Sequence, residues 1–221
     1  MRFPKHSRGA RLLLGGSLAA LCALTGEAGA LPIISEVLYD ATGADDGRSF
    51  VELYGEPGTD LAGYRLEGVN GAGGAVGPVL ALSGILGEDG LFVVADRRAD
   101  GSSEVPGADL LLDFDLQNGP DSLVLRLDDE VVDAVAYGVF EPGLVFAGEG
   151  LPAPDAPAGS SLGRVPSDRD TDRNHLDFAV LSDPSPGRAQ LPPVPEPGSL
   201  LLGLAGLGVL AALGRRRGPP V

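Results

Sequence analysis

Cysteine is almost missing from this chain of 221 residues: the single one, Cys22, lies in an apolar stretch near the N-terminus. Once that stretch is removed, neither disulfides nor thiolate chemistry remain to the protein. Tryptophan is absent, and His175 is the sole histidine outside the N-terminal segment. Basic charge is scarce as well. Arg2, Lys5, Arg8, Arg11, Arg215, Arg216 and Arg217 take seven of the 16 basic residues into the two ends, leaving nine, all arginine. Glu27 and Glu196 take two of the 31 acidic residues, so the middle of the chain carries a net charge near −20 against −15 for the whole. Such a surface repels phosphate backbones and disfavours nucleic-acid binding. It attracts divalent cations, tolerates salt, or simply keeps the protein soluble.

Backbone punctuation is abundant, with 34 glycines and 19 prolines. That favours many short strands and turns over long helices. The length fits one domain plus terminal signals. The N-terminus places four positive charges before an apolar run from Leu12 to Leu24, and then Ala28-Gly29-Ala30. This is the layout of a secretory signal peptide over residues 1–30, with cleavage expected after Ala30 by signal peptidase. The run is short for a membrane span. Leu21 before Cys22 is too large for a lipoprotein site.

The C-terminus holds a second apolar run, Ser199 to Leu213, without a charged residue. As a helix it would extend roughly 22 Å, short of a bilayer core of about 30 Å. Flanking residues and local thinning cover that gap. Arg215, Arg216 and Arg217 form a cytoplasmic anchor behind it. Pro195 and Pro197 cannot continue a helix, which leaves an extended segment accessible to a protease outside the membrane. Pro195-Glu196-Pro197, the apolar run and the arginine cluster, in that order, resemble the PEP-CTERM sorting signal of Gram-negative bacteria. The resemblance implies cleavage near Pro195, Glu196 and Pro197 by an exosortase-type transpeptidase, in a host that makes exopolysaccharide. A plain single-span anchor is the alternative reading.

Between these ends the sequence alternates and turns. "PIISEVLYD", "RSFVELYG", "DLAGYRLEGV", "VLAL", "GLFVVAD", "ADLLLDFD", "DSLVLRL", "EVVDAVAYG" and "HLDFAVLS" read as short strands separated by turns such as Asp45-Asp46-Gly47 and Asn118-Gly119-Pro120-Asp121. Gly71 to Gly77 reads as a loop, and Gly138 to Ser160 as a long surface loop. No internal repeat and no amphipathic helix stands out. The spacing predicts an all-β sandwich or barrel over residues 31–190, followed by a Pro-rich stalk and the sorting tail over 191–221.

The order of "IISEVLYD", "SFVELY", "DLAGYRLE", "LFVVAD", "FDLQNGPDSLVLRL", "VVDAVAYG" and "SSLGRVPSDRDTDRNHLDFAVLSDPSPGRAQ" resembles the lamin-tail domain. It departs from that family at Gly55, where asparagine is common. The resemblance implies an immunoglobulin-like β-sandwich, flanked here by a signal helix and a short C-terminal transmembrane helix. Bacterial members are usually secreted and often accompany nucleases, hydrolases or adhesion modules.

No catalytic set is evident. His175 has Ser160, Ser161 and Ser167 near it in sequence, without a Gly-x-Ser-x-Gly elbow. A zinc site needs more ligands than one histidine provides. The glycines from Gly71 to Gly77 lack dinucleotide-binding spacing. Asp40, Asp45 and Asp46 are paired carboxylates of the kind that hydrolyse glycosides, within an ordinary turn composition. The strongest chemical signal is "SDRDTDRNHLD". Asp168, Asp170, Asp172, Asn174 and Asp177 offer alternate oxygens that suit Ca²⁺. It is no EF-hand, since Arg173 and Ala179 stand where glycine and glutamate belong. Arg169 and Arg173 interleave with the acids and offer salt bridging as the alternative.

The sequence therefore predicts a non-enzymatic extracytoplasmic binding or structural module, with no cofactor required and no nucleic-acid partner. It is exported, held by the membrane, and sorted to the cell surface or exopolysaccharide matrix. A surface polysaccharide or a protein is the expected ligand. A carboxylate-based secreted hydrolase using Ca²⁺, and nucleic-acid binding by analogy with lamin tails, are the alternatives.

Overall fold

The computed structural model describes residues 30–190. The signal segment up to residue 29, including Ala28, lies outside the described residues, as do the sorting motif Pro195, Glu196 and Pro197, the apolar run and Arg215 to Arg217. Ten strands and one helical turn follow in order: β1 (Ile33–Leu38), β2 (Phe50–Tyr54), β3 (Tyr64–Asn70), β4 (Val76–Ala81), β5 (Leu91–Asp96), β6 (Leu110–Leu112), β7 (Asp121–Leu127), β8 (Glu130–Tyr137), β9 (Ser161–Arg164), α1 (Asn174–Asp177) and β10 (Phe178–Leu181). They form a six-stranded sheet, β10-β9-β1-β2-β5-β6, and a four-stranded sheet, β4-β3-β7-β8. Strand pairing is antiparallel except between β5 and β6, which the crossover 97–109 makes parallel. The expectation of a mainly β domain holds.

The two sheets share one core. Ile34, Val37, Val51, Leu53, Phe92 and Val94 come from the larger sheet, and Tyr64, Leu66, Leu80, Leu123, Leu125 and Val135 from the smaller. Period-two alternation puts these residues on facing surfaces. Each fully buried aliphatic side chain contributes about 1.5–3 kcal/mol of transfer free energy. Tyr39 and Tyr137 stack at 4.1 Å between ring centroids and close one end of the core.

The larger sheet is buried on its other face too. Leu38, Phe50, Val93 and Ala95 form a second apolar cluster with Val105 of the 97–109 crossover. That explains why β5 is buried at every position. On the same face, Glu36 and Glu52 sit opposite one another on β1 and β2. Residues 182–190 cross over them as a strap. Ser185 donates its N–H to Glu36 Oε1 at 2.8 Å and its hydroxyl to Oε2 at 2.7 Å. The Gly187 N–H donates to Glu52 Oε2 at 2.7 Å, and the Ser35 hydroxyl to Oε1 at 2.8 Å.

Two elements differ from the sequence reading. β9 has one apolar side chain, Leu162, so no hydrophobic run marked it. Its pairing with β1 and β10 makes it a strand. The first residues of "HLDFAVLS" form α1, a single turn, and only Phe178 onward is strand. The segment 138–160 has no strand, as expected, yet it is well attached. Ala153 and Ala156 reach the core, and the Tyr39 hydroxyl accepts the Ala156 N–H at 2.9 Å.

Candidate functional site

The densest polar constellation is organised by Arg164, the last residue of β9. Its side chain is fully buried and its ring of acceptors spans three parts of the chain. Nε donates to the Ile34 carbonyl at 2.9 Å, one terminal nitrogen donates to Asp133 Oδ1 at 2.7 Å, and the other donates to the Arg169 carbonyl at 2.7 Å. That second nitrogen also lies 3.3 Å from Asp170 Oδ1 and 3.3 Å from Asp177 Oδ2. The guanidinium rests 4.6 Å from the Phe178 ring centroid, within cation–π range. Asp133, on β8, also accepts the Ile34 N–H at 2.6 Å through its second oxygen. One carboxylate thus ties β8 of the smaller sheet to β1 of the larger.

The carboxylates around Arg164 differ in character. Burial pushes Asp133 up, against the pull of Arg164 and the Ile34 N–H. Burial also pushes Glu149 up to about 8, with Asp133 and Asp170 adding to the rise. Glu149 Oε2 is buried, has no hydrogen-bond partner, and stands 4.0 Å from Arg164. Asp177 behaves oppositely. Burial opposes its charge, but the N–H and hydroxyl of Thr171, the Arg173 N–H and Arg164 together lower its pKa. A buried carboxylate with several donors is held ionised in this way.

Of the five candidate calcium ligands, Asp168, Asp170 and Asp172 are exposed while Asn174 and Asp177 are buried. Asn174 Oδ1 accepts the N–H groups of Ala136 at 3.0 Å and Glu149 at 2.9 Å, and its Nδ2 donates to the Ala134 carbonyl at 2.8 Å. This joins α1 to β8 and to the 138–160 segment. Asp177 accepts from Thr171 and pairs with Arg164 and Arg169. Among the described residues, the carboxylates close enough to share one ion are Asp133, Glu149 and Asp170, within 4.8 Å of one another. Only Asp170 belongs to the expected set. The guanidinium of Arg164 already supplies positive charge there, so this donor set favours the salt-bridged arrangement.

The remaining sequence candidates lie elsewhere. His175 is exposed on α1. Ser161 donates its hydroxyl to Glu36 at 2.5 Å, and Ser167 Oγ accepts the Gln190 N–H at 2.7 Å. Ser160 is buried. These three serines are not gathered with His175 by any hydrogen bond among the described residues. Asp45 closes its own turn by accepting the Ala41 N–H at 2.7 Å. Asp45 and Asp46 share an open depression of about 340 Å³ with Asp96, Asp113 and Asp115. Asp96 is occupied there, accepting the N–H of Gly47 at 2.5 Å and of Phe114 at 3.1 Å. The Gly71 to Gly77 loop joins β3 to β4, with Val76 and Gly77 already in β4.

Sequence reasoning missed Asp133, Glu149 and Arg164, and also Glu36 and Glu52. For Asp133, Glu36 and Glu52 the signal was a charge inside a strand-like run, "EVVDAVAYG", "IISEVL" and "FVELY"; Arg164 in "SSLGRV" and Glu149 in the 138–160 segment had no such mark. A charge at a buried strand position needs a partner, and Asp133, Arg164, Glu36 and Glu52 each join distant segments.

Among the described residues no helix is long and apolar enough to cross a membrane. No curated protein matches the chain. Residues 193–217 match the PEP-CTERM protein-sorting motif, which implies an exported protein sorted by an exosortase to the membrane or cell surface.

Proposed function

We propose that residues 31–190 are a non-enzymatic binding or structural module. Signal peptidase releases it at Ala30, its C-terminal helix holds it in the inner membrane, and an exosortase then passes it to the cell surface or the exopolysaccharide matrix. The sorting motif at residues 193–217 carries this reading. It is supported by the use already made of the buried ionisable groups: Arg164, Asp133, Asp177, Glu36 and Glu52 hold segments of the chain together. The domain's two-sheet architecture is compatible with an immunoglobulin-like sandwich. The lamin-tail assignment rests on the ordered sequence stretches alone. The charge near −20 argues against a nucleic-acid partner.

A surface polysaccharide is the ligand class that fits the destination. The test is to incubate the mature protein with exopolysaccharide purified from its host, and to follow both co-sedimentation and release of reducing ends. Binding without new reducing ends is expected. Steady release of reducing ends that Asp45→Asn or Asp46→Asn abolishes would replace this reading with the hydrolase.

A further inference from the structure

The strand registers sort the loops into two ends. Ile33 pairs with Tyr54, Tyr54 with Leu91, and Arg164 with Phe178, so these residues share one end of the larger sheet. Leu38 pairs with Phe50, Phe50 with Ala95, and Ser161 with Leu181, which defines the opposite end. The depression formed by Asp45, Asp46, Asp96, Asp113 and Asp115 belongs to this second end.

Both chain termini of the domain leave from the first end. Ala30 and Leu31 line an open depression of about 470 Å³ together with Tyr54, Glu56 and Asp168. β10 finishes at the far end, but the strap returns the chain across the sheet. Its last residue is pinned beside Asp168: the Gln190 N–H donates to Ser167 Oγ and the Ser167 N–H to the Gln190 carbonyl, both at 2.7 Å. Gln190 Nε2 adds a bond to Ser185 Oγ at 2.9 Å. The tether to the sorting helix therefore begins at the Ala30 end, although the last strand points away from it. Eight residues, 191–198, separate Gln190 from the uncharged run. Even fully extended they reach under about 30 Å.

We propose that, while the sorting tail is in the membrane, the domain stands on its Leu31–Glu56–Asp168 end at the lipid surface and turns the Asp45–Asp46–Asp113–Asp115 rim outward. This rests on the sorting-tail reading. Glu36 and Glu52 are the positioning residues, because they hold the strap that brings the exit point back. The signal segment leaves from the same end, so one orientation serves both before and after signal removal.

The absence of cysteine outside the signal segment makes the test direct. Full-length protein, processed at Ala30, is made with Glu56→Cys or with Asp46→Cys, both at exposed positions, and labelled with a fluorophore. Each is reconstituted into phosphatidylethanolamine–phosphatidylglycerol vesicles bearing a headgroup-linked quencher. Flotation with the vesicles reports tail insertion. Labelling of the unsubstituted chain reports Cys22 and hence a retained signal segment. In floated protein, quenching at Glu56→Cys should exceed that at Asp46→Cys on the order of twofold, since a six-residue strand separates the ends by about 20 Å. Equal quenching, or stronger quenching at Asp46→Cys, overturns the orientation. Protein that does not float overturns the tail reading beneath it.

Discussion

Arg164 is the residue on which the polar interior depends. Two fully buried acids, Asp133 and Asp177, face it, and replacing it removes the buried cation that both pair with. Removing one partner of a buried ion pair costs about 3–5 kcal/mol. Arg164→Met should therefore lower the melting temperature on the order of 10 °C for a domain of this size. Adding Asp133→Asn should recover part of that loss, because the orphaned charge goes with it. A melting shift of one or two degrees for Arg164→Met would mean that the hub contributes little. This site was only half legible beforehand. The acidic loop from Asp168 to Asp177 stood out by its spacing, but spacing suits a cation and an arginine equally. Which one the loop serves depends on β9, whose sequence carries a single apolar side chain.

At the scale of elements, the strap and the 138–160 segment share one pH response. Burial raises Glu52 to about 7, against hydrogen bonds from Ser35 and Gly187, and raises Glu149 to about 8. Both lie above the ordinary glutamate value of 4.5 that the unfolded chain retains. The folded state thus binds more protons between those values. Their contribution to stability is complete below about pH 4.5 and is lost as pH rises through 7 and then 8. Urea midpoints should fall from pH 5 to pH 8.5, and Glu52→Gln with Glu149→Gln should flatten that slope. A slope left unchanged by both substitutions would contradict the assignment. Asp177 acts in the opposite sense at lower pH, where its depressed pKa makes acid destabilising.

The β3–β4 loop offers a second element-scale test. A Cβ on Gly71 would lie 2.1 Å from the Pro120 carbonyl oxygen, so the glycine permits a close backbone approach. Its N–H donates to Asp121 Oδ1 at 2.8 Å. Gly71→Ala should cost about 1–3 kcal/mol through overpacking, read as a lower urea midpoint. No change would mean the loop moves freely. Most strands were legible because alternation and turn residues bracket them. The glycine run read only as a loop, since close approach of Pro120 comes from the turn before β7 and leaves no local trace.

For the whole molecule, the destination is written outside the described domain, in residues 193–217. The domain supplies two sheets, one shared core and a strap that returns the chain to its starting end. That return was not legible, because it rests on two glutamates buried under residues 182–190. The central claim is that the chain is exported, cut at both ends and displayed. Its direct test is the intact mass of the protein from its native host, measured separately in the membrane and outer fractions. The account predicts an outer form that begins at Leu31 and ends between Pro195 and Pro197. A form ending at Val221 and confined to membranes would contradict it and make the tail a permanent anchor.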